Sequence, residues 1–245
     1  ITGIRELDTP MPTIDSIRAS ARAGALLTPR ILAAGKMIEA GELEPMLAKA
    51  PPAIAEFAKG DRVYVHSADE ARATVRELAA LKPDLLKHHN VLKRDIFFAV
   101  LDEAKKAGLR VSGHFPAGEK ITLREVAEAG QATIEHLGWP GVSADFKAST
   151  PAGQDSLVAI VKQSGLGFVP TLVVGDFSKD SPAGFDSVRL AQAHQDPRAR
   201  LVTPQLWAAW DGMIKVLAEE RKGGGLSQFD FPGEVAMLRR LHKAG

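Results

Sequence analysis

Three short apolar runs in this chain each end in a side chain that can donate to a metal ion. PDLLKHHNV carries Lys87, GLRVSGHFP carries His114 and QATIEHL carries His136. An imidazole offers a neutral nitrogen, whereas a lysine amine becomes a donor only after it loses its proton or is modified. The three positions are too far apart in sequence to share one helix face or one loop. They meet only if each run is a strand and the strands lie parallel, since parallel strands bring their carboxyl ends to one rim.

The segments between the runs are those such a sheet requires. Ser67-Ala-Asp-Glu70 and Thr122-Leu-Arg-Glu125 are capping-box signatures for helix starts,. Behind Ser67, the residues Ala71, Val75, Leu78 and Ala79 share a helical face. Ile96, Val100, Leu101 and Ala104 do the same in a helix predicted from Arg94 to Ala107,. Ile1 to Leu7, Arg30 to Gly35 and Leu166 to Val174 read as further strands, and Pro170 predicts a bulge or an early end in the last,. Residues 36 to 62, interrupted by Gly41, Pro45, Pro51, Pro52 and Gly60, read as an excursion over the mouth of a barrel,. Helices are also expected at Thr13 to Ala23, Leu157 to Lys162, Val188 to His194, Pro204 to Glu220 and Gly233 to Ala244, with a flexible break at Gly223 to Gly225.

Five helices end in a small residue followed by glycine, at Gly24, Gly108, Gly130, Gly165 and Gly245, the position where a helix closes in left-handed conformation,. After the first four a new strand follows; after Gly245 the sequence stops, and Ile1 opens directly in a strand. The expected fold class is therefore α/β, an incomplete TIM (β/α)8-type barrel with about six parallel strands, the first and last missing, and residues 1–245 forming one partial catalytic barrel domain.

Composition bounds the partners. Lys+Arg 31 against Asp+Glu 30 leaves a net charge of +1, so no basic footprint for nucleic acid is expected,. No apolar run reaches the roughly 18 residues of a membrane span. The absence of cysteine removes disulfides, thiolate nucleophiles and cysteine-ligated zinc,. Compartment and self-association stay open.

DLLKHHNVLKRDIFFAVLDEAKKAGLRVSGHFP, followed by EAGQATIEHL and GFVPTLVV, resembles the amidohydrolase superfamily, above all its imidazolonepropionase-like and Xaa-Pro-dipeptidase-like members. ITGIREL and TPRILAAGKMI look like that family's second and third barrel strands. The resemblance implies a binuclear metal site at a barrel mouth, with two Zn ions, or Mn or Fe, as cofactor. By position Lys87 looks like the family's carboxylated bridging lysine, and His114 and His136 look like metal ligands. His89, on the face of Lys87, stands where the family often has a substrate-contacting tyrosine, which makes it a candidate substrate contact. The family's His-x-His pair and general-base aspartate have no counterpart between Ile1 and Gly245, so no catalytic base is assigned and this stretch is expected to be inactive alone.

The implied activity is hydrolysis of a C–N bond in a small amide or a dipeptide by metal-activated hydroxide. Two other readings stand beside it. Lys87 could be the Schiff-base nucleophile of a barrel lyase or aldolase, or the chain could be a non-catalytic, degenerate barrel. Glu135, adjacent to His136, is expected on the opposite strand face as a structural residue, and His88 is expected to face the helices. His66, His194 and His242 read as solvated, and Phe97, Phe98, Trp207 and Trp210 as packing.

Overall fold

A computed structural model describes residues 2–49, 59–89, 93–116, 119–136, 142, 149–172, 188–208, 210–212 and 231–245. The expected helix beyond residue 212, the glycine break at 223–225 and the end of the last expected strand after Leu172 lie outside the described residues.

Strands and helices alternate through most of the chain, although the strand Met37–Ala40 follows the strand Arg30–Ala33 directly. In chain order they are β1 (Gly3–Glu6), α1 (Met11–Arg22), β2 (Arg30–Ala33), β3 (Met37–Ala40), α2 (Glu44–Ala48), β4 (Arg62–Val65), α3 (Ala68–Ala80), β5 (Leu86–His88), α4 (Arg94–Lys106), β6 (Val111–Gly113), α5 (Leu123–Glu128), β7 (Thr133–Glu135), α6 (Pro151–Ser164), β8 (Gly167–Val169), α7 (Val188–Gln195) and α8 (Phe231–Ala244). Among the described residues every strand pairing is parallel. Six strands form a sheet in the order β4-β3-β5-β6-β7-β8, and β1 pairs separately with β2.

The helix boundaries follow from local chemistry. Thr122 Oγ1 accepts from Glu125 N while the Glu125 carboxylate accepts from Thr122 N, so the predicted capping box at α5 is complete,. At α3 only half of the box forms. Ser67 accepts from Glu70 N, but the Glu70 carboxylate reaches one residue further back, to His66 N. Thr150 caps α6 through Gly153 N, which starts that helix well before the expected Leu157. All five helix-closing glycines have positive φ, from 69° to 89°.

The core lies between the sheet and the outer helices. From α4, Ile96, Phe97, Val100 and Leu101 are buried, facing Val75 and Leu78 of α3 and Leu86, Val111 and Ile134 of the sheet. Fully burying a side chain of this size contributes roughly 1.5–3 kcal/mol. Strand β8 ends at Val169, just before Pro170, as the missing donor predicts,.

The stretch from 36 to 62 departs from expectation. Met37–Ala40 is no excursion over the mouth: it is the buried strand β3, held between β4 and β5, and Arg62–Val65 adds the strand beside it. The run MIEA is only four residues long and holds a carboxylate, so its apolar signal is weak. Its burial depends on partners supplied by the rest of the sheet.

The sheet also curls. The Arg5 guanidinium on β1 crosses the interior to Ser112 Oγ of β6 (3.3 Å) and to Thr133 Oγ1 (3.3 Å) and the Glu135 carboxylate (2.9 and 3.0 Å) of β7. Because β1 and β2 form a sheet of their own, a side chain of this length reaches β6 and β7 only if the two sheets curve around a shared interior, as in a barrel.

Candidate functional site

Parallel register sets Lys87 beside Ser112 and Ser112 beside Thr133, so these side chains share the interior face. Alternation then puts His89, His114 and Glu135 on that face one step nearer the carboxyl ends. The His89 and His114 ring centroids are 4.6 Å apart, and those of His114 and His136 are 4.9 Å apart. The four residues singled out from the sequence, Lys87, His89, His114 and His136, therefore meet at one rim.

His136 reaches the cluster by a backbone exception. Alternation would turn it outward, but it has φ of 66°, and Thr171 opposite has φ of 44°. Non-glycine residues in this region are strained by about 1–3 kcal/mol, and such strain concentrates at functional sites. The His136 Nδ1 and Thr171 Oγ1 are 2.5 Å apart, which fixes the ring and leaves Nε2 as the nitrogen presented elsewhere,.

Glu135 requires a correction. It was expected on the face opposite the site, yet it occupies the interior with Lys87, 3% exposed and bound by Arg5. The expectation assumed unbroken alternation through His136, and the left-handed turn there removes that assumption. His88 does face the helices. Its ring meets Phe97 edge-on at 5.4 Å and lies 3.1 Å from Gln131 Oε1. His194 is not merely solvated, because it stacks on Trp207 at 4.1 Å and pairs with Asp211 at 3.1 Å.

Burial makes the cluster electrostatically unusual. Desolvation draws the Lys87 amine down to about 8, partly opposed by the negative Glu135,. His114 is held far below the usual imidazole range, first by burial and then by the Lys87 charge. His136 is lowered by the same two causes, and burial brings His88 down to about 3. The imidazoles of His114 and His136 are thus neutral nitrogen donors at physiological pH, and a useful fraction of Lys87 is unprotonated.

These shifts make the fold acid-labile. The unfolded chain takes up protons on these histidines near pH 6.5 and the folded chain does not, so stability is lost as pH falls through that value. His88 alone removes on the order of 1 kcal/mol per pH unit below about 6.5,. His114 and His136 steepen the loss. Asp8 opposes it, because burial and Glu6 raise its carboxyl to about 6 and folding then retains a proton. Urea midpoints should fall steadily from pH 7 to 5, and a flat profile would contradict the burial of neutral imidazoles.

Two charged residues, Glu39 and its partner Arg62, were not foreseen. Glu39 on β3 is fully buried; its Oε2 lies 2.8 Å from His89 Nδ1 and 2.5 Å from Arg62 Nη1. The only hint in the sequence was an acid set in an apolar tetrapeptide between Lys36 and Gly41. Among the described residues no three His, Asp or Glu side chains are set to hold a metal ion by themselves. Lys87, His114 and His136 include only two such side chains, so an ion held there requires Lys87 to contribute, and a buried amine near pKa 8 suits conversion to a carbamate. The donor set fits a divalent metal on that condition.

No family model matches the sequence, and no curated protein matches it. Among solved structures the chain is similar to a Xaa-Pro dipeptidase with methionine bound in its active site, at 19% identity and a TM-score of 0.57, covering 100% of this chain and 53% of that one. It is also similar to a putative prolidase from Bifidobacterium longum (19%, TM-score 0.58, 100% and 50%) and to the ochratoxinase of A. niger (13%, TM-score 0.57, 100% and 50%). The likeness is one of fold. This chain, an incomplete α/β barrel, spans about half the length of each of these proteins. Among the described residues, no helix of the barrel is long and apolar enough to cross a membrane.

Proposed function

We propose that this barrel carries part of the active site of a metal-dependent, amidohydrolase-type enzyme that hydrolyses a C–N bond in a small amide or a dipeptide. The observation behind this reading is the meeting of Lys87, His114 and His136 at the carboxyl ends of parallel strands, in a fold similar to that of a dipeptidase and a prolidase. Lys87, as its carbamate, would be the anionic oxygen donor, and His114 and His136 the nitrogen donors. Two zinc ions, or manganese or iron, fit such a mixed set. A divalent ion there would supply Lewis acidity toward a carbonyl and let water ionise near pH 7. His89, whose ring lies 4.6 Å from that of His114, would be a substrate contact on the same rim.

Carbamate formation needs an unprotonated amine, which burial provides at Lys87. In 13C-bicarbonate the protein should show one carbamate resonance that Lys87→Ala abolishes. Zinc affinity should rise with bicarbonate and fall at least about a hundredfold in that variant. Zinc binding indifferent to both bicarbonate and Lys87→Ala would remove the reading.

The lowered pKa of Lys87 also suits the competing Schiff-base reading, since an unprotonated amine is the nucleophile there,. Borohydride trapping of a small keto acid on Lys87 would favour a lyase. The same protein failing to trap while binding zinc would favour the hydrolase.

A further inference from the structure

We infer that Glu39 is a positioning residue that holds His89 as its Nδ1–H tautomer, so that Nε2 is presented as a hydrogen-bond acceptor for an N–H or O–H group of the substrate. This rests on the active-site reading above and adds a requirement on the substrate: it must carry a donor close to the bond that is cleaved.

His89 Nδ1 has two neighbours with opposite demands. Glu39 Oε2 lies at 2.8 Å and Arg62 Nη1 at 3.4 Å. Arginine can only donate, so a bond from Arg62 would need a lone pair on Nδ1. A carboxylate paired with a guanidinium can only accept, so a bond to Glu39 needs a proton on Nδ1. The 2.8 Å contact has the length of a charge-assisted bond, while 3.4 Å is beyond the usual N–H···N range,. The Glu39 bond therefore decides the tautomer, and in the neutral ring the lone pair falls to Nε2.

The surroundings hold this arrangement in place. Glu39 is wholly buried on a central strand, and Arg62, whose side chain is 12% exposed, grips the same carboxylate oxygen. Neither group has room to reorient without leaving a buried charge unpaired. The His89 ring itself borders the cluster, with the His114 ring 4.6 Å away, centroid to centroid.

Long-range 1H–15N correlation of the imidazoles tests this without any turnover, with His89 assigned from His89→Asn. The expected result is an Nδ1–H, Nε2-unprotonated ring in the unaltered protein. Glu39→Gln, which keeps an acceptor oxygen, should retain that tautomer, and Glu39→Ala should release the ring to the Nε2–H form. A protonated Nε2 in the unaltered protein overturns the inference whether or not Glu39→Ala folds. In the zinc-loaded protein, alanyl-proline should shift the His89 Nε2 resonance, and propionyl-proline, which lacks the amine, should not. Equal response to both peptides, or an indifferent Nε2 while His114 responds, also overturns it. If neither peptide perturbs any site resonance, the hydrolase reading fails instead, and the tautomer measurement still decides the role of Glu39.

Discussion

Arg5→Met is expected to destabilise the fold by about 3 kcal/mol, visible as a lower urea midpoint with an unchanged slope. Arg5 is the group that pairs with the carboxylate of Glu135, whose side chain is 5% exposed, and it also donates to Ser112 and Thr133. Removing one member of a buried pair leaves the other charged and unpaired, typically at about 3–5 kcal/mol. The lower end applies because the Arg5 side chain is 29% exposed and because Thr133 Oγ1 still donates to Glu135 at 2.7 Å. Arg5→Met combined with Glu135→Leu should recover most of the loss, since an apolar pair of similar volume is often neutral or better. If the double variant is as unstable as the sum of the single ones, the two side chains are not coupled and the bridge across the rolled sheet is not what holds β1 in place.

Gly113→Ala should be nearly as damaging. A Cβ at this position would come within 2.1–2.4 Å of the His88 imidazole. That ring cannot step aside, because Phe97 stands edge-on to it and Gln131 lies at hydrogen-bond distance from its Nε2. Overpacking costs about 1–3 kcal/mol, and losing the buried hydrogen bond adds about 1 kcal/mol. Thermal melts should therefore show Gly113→Ala well below the parent, with His88→Ala in the same chain restoring part of the loss. A Gly113→Ala protein as stable as its parent would mean that β6 and the His88 ring are not packed as described. His114, the next residue after β6, should be displaced with that strand, so on the metal-site reading proposed above zinc affinity should fall together with stability.

Much of the architecture was legible in the residues. Gly24, Gly108, Gly130, Gly165 and Gly245 announced helix ends because few other residues tolerate positive φ, and each has it,. Thr122 and Glu125 announced a helix start because their side chains satisfy backbone groups close by in sequence. Pro170 announced a strand end because it lacks a donor. The co-location of Lys87, His114 and His136 followed from one further step, that strands separated by helices pair in parallel and share a rim. All of these signals are local, or depend only on the order of elements.

The tertiary structure decided what depends on distant partners. Met37–Ala40 is too short and too polar to identify itself as a strand, and it is one because β4 and β5 flank it. Glu39 is a tolerable buried charge only because Arg62 and His89 face it, and Glu135 only because Arg5 crosses the interior. The orientation of His136 depends on a left-handed backbone turn that period-two alternation cannot anticipate. A sequence records the intrinsic preferences of each residue, whereas the cost of a buried charge or a strained φ is set by whatever the folded chain places against it.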